Sequence, residues 1–322
     1  MRHNAKRTCL AVPSRGTLQA MKQAAEALLS GVIDYAGLFP PAKLDMRPAL
    51  REYNNFFKTG QEWIVGRFVC PANRLEELRL CLDEWTQEDD FIVSVIGSPI
   101  PETDYLKVIQ SDQIAVERVL SSELVTISCY EAKPSLPSQI MAIAKAFEEI
   151  VEEAVFFEIP LNDNMGDWIE AVSDVAVVDA GVKARTGGLD ASAFPSSQAL
   201  AEFIFEAVGY GLPYKLTAGL HHALPFDDPG IGIRHHGFLN ALFAGVMADG
   251  LDLSVVDMQR ILDCRDAGEF KVTDKKIQWR DFELDLEGIG EGRFSFDSFG
   301  SCVVDEPLKE LNVLGWLNGG ER

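Results

Sequence analysis

The feature that most limits what this chain can become is a repeated alternation of two kinds of segment. Short runs rich in β-branched and aromatic residues, closed by glycine, proline or small polar residues, are followed by stretches with apolar residues at helical spacing. Eight such runs stand at 31–39, 62–70, 91–97, 123–130, 154–159, 181–186, 214–220 and 294–299, the first of them stopped by Pro40-Pro41. Helices are expected over 17–29, 46–58, 138–151 and 196–208, with a further one over 74–85 capped by Asn73 and a helical run near 104–110. Strands that alternate one for one with helices belong to a parallel sheet, and eight of them predict a (β/α)8 TIM barrel of the α/β class rather than an open doubly wound sheet. Two departures from the pattern are expected. Residues 1–30 form an N-terminal helical extension, and 235–291 form an insertion between the seventh and eighth strands. The insertion holds two helical pieces and a polar stretch that reads as a hairpin over the barrel. With 322 residues, 47% of them apolar, and no low-complexity break, the whole of 1–322 reads as one α/β-barrel domain.

Charge and composition exclude several classes of function. A net charge of −21 argues against nucleic acid as a partner, because that affinity comes from clustered Lys and Arg neutralising phosphates. No apolar stretch approaches the length that spans a bilayer, and the run at 9–12 is too short for a signal-peptide core, so a cytoplasmic protein without membrane contact is expected. Six cysteines without a CxxC pair suggest neither a zinc knuckle nor a disulfide framework. The expected partner is a small anionic molecule, with room left for a homo-oligomer.

In an α/β barrel the chemistry gathers at the C-terminal ends of the strands. Those ends offer Asp34, Arg67, Glu131, Glu158, Lys183 with Arg185, Lys215 with Thr217, the His221-His222 pair, and Asp297. Side chains alternate across a strand, so Lys183 shares a face with Arg185, and Lys215 shares one with Thr217. A cation inside a strand is costly unless it is paired or working. Lys183, Lys215, Asp34, Glu158 and His221 are therefore the candidate catalytic residues, and Arg185, Thr186, Thr217, His222 and Asp297 the candidate substrate contacts. Asp34 is expected to hold a lysine by an ion pair. Glu158, after two phenylalanines, is either an acid of raised pKa or a partner of Arg185. An anionic substrate of so acidic a protein would need a local cationic pocket, which Lys183, Arg185 and Lys215 could supply.

Several segments resemble deoxyribose-phosphate aldolases, the class I aldolase barrels. Ile33-Asp34-Tyr35-Ala36-Gly37-Leu38-Phe39-Pro40 is similar to that family's opening strand, Phe68-Val69-Cys70-Pro71-Ala72 to its second, Val95-Ile96-Gly97-Ser98-Pro99 to its third, and Phe156-Phe157-Glu158 to its fifth. Lys183-Ala184-Arg185-Thr186-Gly187-Gly188 resembles its sixth-strand Lys-Thr-Ser-Thr-Gly segment, and Lys215-Leu216-Thr217-Ala218-Gly219 its seventh-strand lysine segment. The resemblance covers about two thirds of the chain and implies a divergent member. It implies a Schiff base between Lys183 and a small anionic carbonyl or sugar-phosphate-like substrate, with Lys215 beside it and no cofactor. An amine is nucleophilic only when unprotonated, so a lysine of lowered pKa is expected, with Lys215 or Arg185 supplying the repulsion. Three departures mark the divergence. Leu124 falls at the family's fourth-strand aspartate, leaving Glu123 or Glu131 to substitute; Arg185 replaces a small residue; and the glycine- and serine-rich phosphate loops are replaced by Leu220-His221-His222 and Phe299-Gly300-Ser301-Cys302.

Two rival readings stay open. A divalent metal ion could be held by His221, His222, His235 and His236, with Glu158 as a further ligand. Alternatively the barrel binds an anionic metabolite without turning it over.

Overall fold

The computed structural model describes residues 22–175, 179–188, 190–230 and 232–317. Eight parallel strands close on themselves: β1 (Ile33–Tyr35), β2 (Val65–Pro71), β3 (Phe91–Ile96), β4 (Val125–Ala132), β5 (Ala154–Glu158), β6 (Ala180–Arg185), β7 (Tyr214–Thr217) and β8 (Phe296–Ser301). Each pairs with its sequence neighbour, and β1 closes the ring on β8 with Ile33 opposite Phe299. The expected TIM-barrel architecture is the observed one.

The helices form because their apolar residues fall on one face, and that face lies on the barrel. Met46–Lys58 buries Met46, Ala49, Leu50, Tyr53 and Phe56, whose spacing of three and four is the helical repeat, and the helix runs over the expected span. The helix after β3 runs from Tyr105 to Leu120, well beyond the expected 104–110, because Ile109, Val116 and Val119 continue its buried face. In Ser197–Gly209 the Ser196 hydroxyl accepts the Ala199 N–H and fixes the helix start. Asn73 does not cap a helix: it lies within the 3-10 turn Ala72–Arg74, and the helix proper covers only Leu75–Arg79. At the chain start, Gln23–Leu29 is helical, and the rest of the expected 17–29 lies outside the described residues.

Several strand boundaries differ from the expected ones, among them those of β4 and β8. β4 begins at Val125 rather than 123, since Glu123 takes a left-handed conformation (φ 56°) in the preceding turn, and its end shifts outward to include Glu131. β8 begins at Phe296, because Phe294 belongs to the helix Leu286–Ser295 and is exposed.

The region 235–291 is helical at first, with Phe238–Leu251 and Val255–Leu262. Its polar stretch is a three-stranded antiparallel meander, Phe270–Val272, Lys276–Trp279 and Phe282–Asp285, rather than a hairpin. The meander does not cover the mouth of the barrel. It packs against Gln23–Leu29 and, through Leu284, against Gly250 and Gly288, beside the N-terminal ends of β1 and β8. Among the described cysteines, five are free and buried; Cys9 lies outside the described residues. No described helix is long and apolar enough to cross a membrane.

Helices Phe238–Leu251 and Leu286–Ser295 approach backbone to backbone, since a Cβ on Gly292 would collide with the carbonyl of Val246. Gly292→Ala is therefore expected to destabilise the protein by about 1–3 kcal/mol through overpacking, read as a lower urea midpoint at unchanged slope.

Candidate active site

A cavity of about 520 Å³ opens where β3, β5, β6 and β7 end, with Ile96, Glu158, Arg185 and Thr217 in its wall. Its inner end is charged. The ladder brings Glu158, Lys183 and Lys215 level on three successive strands, so their side chains point to the same face of the sheet. Glu131 arrives from β4, and Asp34 from β1. Asp34, Glu131, Lys183 and Lys215 are all at most 4% exposed, and Glu158 is 8% exposed.

Glu131 is the hub of this cluster. Its Oε2 accepts Lys183 Nζ at 2.9 Å and its Oε1 accepts Lys215 Nζ at 2.5 Å, while Ser94 Oγ donates to Oε1 at 2.5 Å. Each lysine has a second carboxylate: Glu158 Oε2 lies 3.1 Å from Lys183 Nζ, and Asp34 Oδ2 lies 2.6 Å from Lys215 Nζ. Glu158 also takes Lys133 at 2.9 Å and Arg185 Nε at 3.7 Å on its outer oxygen. Burying a charge without compensation costs several kcal/mol, and this chain of alternating signs supplies the compensation.

The same geometry sets the titration of these groups. Burial alone would depress Lys183, but Glu131 and Glu158 outweigh it and its pKa is raised. Lys215 is also raised, Asp34 and Glu131 overcoming its desolvation. The expected lowering of Lys183 by Lys215 is therefore not the resting condition, because a carboxylate stands between the two ammonium groups. Burial pushes Glu131 and Glu158 up, and the lysines more than reverse it. Glu131 ends well below the carboxylate range and Glu158 at about 2, with Lys133 and Arg185 assisting at Glu158. Of its two expected roles, Glu158 has the charged one, although its main partner is Lys183 rather than Arg185.

The remaining candidates divide. Thr217, Arg185 and His221 line the cavity. Thr186 is fully buried, its hydroxyl donating to the carbonyls of Thr217 and Ala218, so it ties two strand ends together instead of facing a substrate. His222 turns outward onto Glu310, at 2.7 Å. Asp297 stands near the start of β8, where it binds Arg67 at 2.7 Å below the cavity. The expected cationic pocket is also corrected, since Lys183, Arg185 and Lys215 all reach carboxylates within the cluster.

The four histidines do not assemble the alternative metal site. His236 Nε2 meets the carbonyl of Pro195 at 2.8 Å, His222 faces Glu310, and only His221 and His235 line the cavity. Among the described residues no group of three or more His, Cys, Asp or Glu side chains is placed to hold a metal ion. His235 belongs to the short hairpin of Phe226–Asp228 and Ile233–His235, and its ring lies between Phe194 (4.3 Å) and Phe226 (4.5 Å). Burial lowers the pKa of His221 and His235, which keeps both imidazoles neutral near pH 7.

The sequence left Glu131 unassigned between two candidates, and did not single out Ser94 or Cys129. Lys215 Nζ lies 3.3 Å from Ser94 Oγ and 3.5 Å from Cys129 Sγ. The available signal was alternation: small polar residues at inward positions of otherwise apolar strands mark a polar barrel interior.

No family model matches the chain, and no curated protein matches it. Among solved structures it is similar to deoxyribose phosphate aldolase from Aeropyrum pernix, described as a unique tetramer, with a TM-score of 0.50 and 12% identity over 91% of this chain and 98% of that one. The likeness is one of fold.

The pairing predicts an acid-labile core. Carboxylates whose pKa is depressed on folding contribute stability that is present above their ordinary value of 4.5 and lost as pH falls toward the folded value, here about 2 for Glu158. Between pH 6 and pH 3 Glu158 alone should cost about 2 kcal/mol of unfolding free energy. Urea unfolding of Glu158→Gln at the two pH values should therefore show a smaller acid loss than the parent. The lysines act at the other end, their contribution being full below 10.5 and lost as pH rises further.

Proposed function

We propose that the protein is a class I aldolase-like lyase in which Lys183 forms a Schiff base with a small carbonyl substrate. One observation carries the reading: two buried lysines on consecutive strands share a single carboxylate, Glu131, at the inner end of a cavity. The aldolase likeness in fold is consistent with it.

At rest Lys183 is charged and cannot attack. Glu158 and Glu131, at 3.1 and 2.9 Å, are within direct reach to accept a proton once a carbonyl compound enters and displaces solvent from the cavity. The freed amine adds to the carbonyl carbon, and its second proton moves to the oxygen. The hydroxyl then leaves as water, taking back the proton held by the carboxylate. The iminium that remains carries the same charge as the original ammonium, so the ion pairs with Glu131 and Glu158 are restored around it. Cleavage of the next carbon–carbon bond sends its electron pair toward the iminium nitrogen. The β-hydroxyl proton needs an acceptor, and neutral His221 in the cavity wall is the candidate base. Lys215, held charged by Asp34 and Glu131, keeps Glu131 in place and ionised.

A second reading, a binding barrel without turnover, is favoured by the fully paired resting state of Lys183. One experiment separates the two. Protein incubated with small aldehydes and ketones, then reduced with borohydride, should gain a substrate-sized mass on the peptide containing Lys183. Lys183→Met should abolish that gain, and Lys215→Met should slow it by at least about tenfold while the adduct stays on Lys183. Binding without any adduct would favour the non-catalytic reading.

A further inference from the structure

The charge balance and the walls of the cavity identify the class of molecule that the site accepts. The residues lining the cavity include three cations, Lys183, Arg185 and Lys215, and three carboxylates, Asp34, Glu131 and Glu158. Both buried lysines hold two carboxylates each. The two cations with substantial exposure, Arg185 at 47% and Lys133 at 69% of their side chains, converge on the outer oxygen of Glu158. An anion entering here would meet cations whose charge Glu158 already offsets, and it would do so inside a protein of net charge −21. Formation of an iminium would not change the balance, because one positive charge replaces another at the same nitrogen.

Much of the wall is apolar, although Arg185, Thr217, His221 and the backbone of Gly188 and Gly219 also line it. Phe39, Pro40 and Pro41 come from the segment after β1, Val69 from β2, Ile96 from β3, and Phe194 from the segment after β6. Together they form an apolar surface beside the charged cluster. A phosphate or carboxylate held among them would lose its hydration without gaining hydrogen bonds, whereas a hydrocarbon group would gain by leaving water. His235 lines the same cavity with its ring packed between Phe194 and Phe226, its two nitrogens buried and Nε2 lying 3.6 Å from Asp228, so it adds ring surface and no charge to the wall.

We propose that the substrate is an uncharged carbonyl compound with an apolar substituent, its carbonyl at Lys183 and its hydrocarbon part against Phe39, Val69, Ile96 and Phe194, and not a phosphorylated or carboxylated one. This rests on the Schiff-base reading for the position of the carbonyl, and on the walls and charge balance for the rest.

The test compares benzaldehyde with 4-carboxybenzaldehyde, which share ring and aldehyde and differ by one charge. Glyceraldehyde 3-phosphate serves as the phosphorylated comparison. Borohydride trapping on the Lys183 peptide is divided by trapping on the peptide of exposed Lys107 in the same sample, which cancels the intrinsic reactivity of each aldehyde. The neutral aldehyde should label Lys183 about tenfold or more above both anions, one unpaired charge being worth at least that factor. Ile96→Lys, which adds an unpaired cation to the wall, should narrow or invert the preference, and Arg185→Met should leave it in place. Equal or faster labelling by either anion overturns the proposal, most directly if Arg185→Met abolishes that labelling. If no aldehyde labels Lys183, the Schiff-base reading fails by itself. The substrate class is then read from NMR titration with benzyl alcohol and 4-(hydroxymethyl)benzoate, which cannot form an imine. Tighter binding of the alcohol supports the proposal; equal or tighter binding of the benzoate, or no binding of the alcohol, overturns it.

Discussion

The structure depends on one carboxylate being shared between two ammonium groups. Glu131 separates Lys183 from Lys215, and without it the level placement of two lysines on adjacent strands would set like charges against each other in a buried space. The arrangement extends in both directions. Asp34 binds Lys215 and reaches Arg67 at 3.4 Å, and Arg67 in turn binds Asp297 and Glu153 below. Ionised groups of alternating sign thus run from the cavity down through the barrel. Such a chain is costly to desolvate, and its contribution lies less in net stability than in the fixed position of each group. For the proposed chemistry, which must hold one nitrogen against an incoming carbon, that fixed position is the useful property.

The resting state nevertheless opposes the proposed chemistry, and the opposition has a physical resolution. Lys183 is held charged by two carboxylates that are themselves held ionised by it, so neither partner gives up its state while water and counter-charge remain as they are. A carbonyl group that enters changes the balance in one respect only: it offers the nitrogen a bond that restores the positive charge after the proton has left. The proton can pass to Glu158 Oε2, which faces Lys183 and is free of Lys133 and Arg185, but those two cations on Oε1 disfavour its staying there, so the protonated carboxyl is short-lived. The tight pairing makes the amine inert until a suitable partner is present. The same logic accounts for the balanced charge of the cavity, since a site that already satisfies its own ions has little to offer an extra anion.

Much of the barrel was legible from the sequence because its signal is local. Eight apolar runs and the helix over Met46–Lys58 follow from residue spacing alone, and the alternation rule placed Lys183 with Arg185 and Lys215 with Thr217 on the faces where they are found. What failed was information carried by turns and by contacts between distant residues. A left-handed Glu123 moved β4 outward and so decided that Glu131, not Glu123, enters the cluster. Thr186 stood beside the key lysine in sequence, yet its hydroxyl is taken by the carbonyls of the next strand's end. His222 and Asp297 were credible from sequence for the same reason, and each is claimed by a partner far along the chain, Glu310 and Arg67.

The three cations expected to form a pocket show most directly how much of a site depends on partners far away in sequence. Three cations near the ends of two strands look like a phosphate cradle when their partners are unknown. Each partner comes from a different strand: Asp34 from β1, Glu131 from β4, Glu158 from β5, separated from the lysines by 25 to 181 residues of sequence. No local rule links them, and only closure of the barrel brings them together. Once they meet, the sign of the cluster changes from cationic to balanced, and on the proposed chemistry the apolar residues around it, unremarkable in sequence, distinguish one substrate from another. On the proposed chemistry, selectivity is therefore a property of the closed ring of strands and its loops, while reactivity is centred on Lys183.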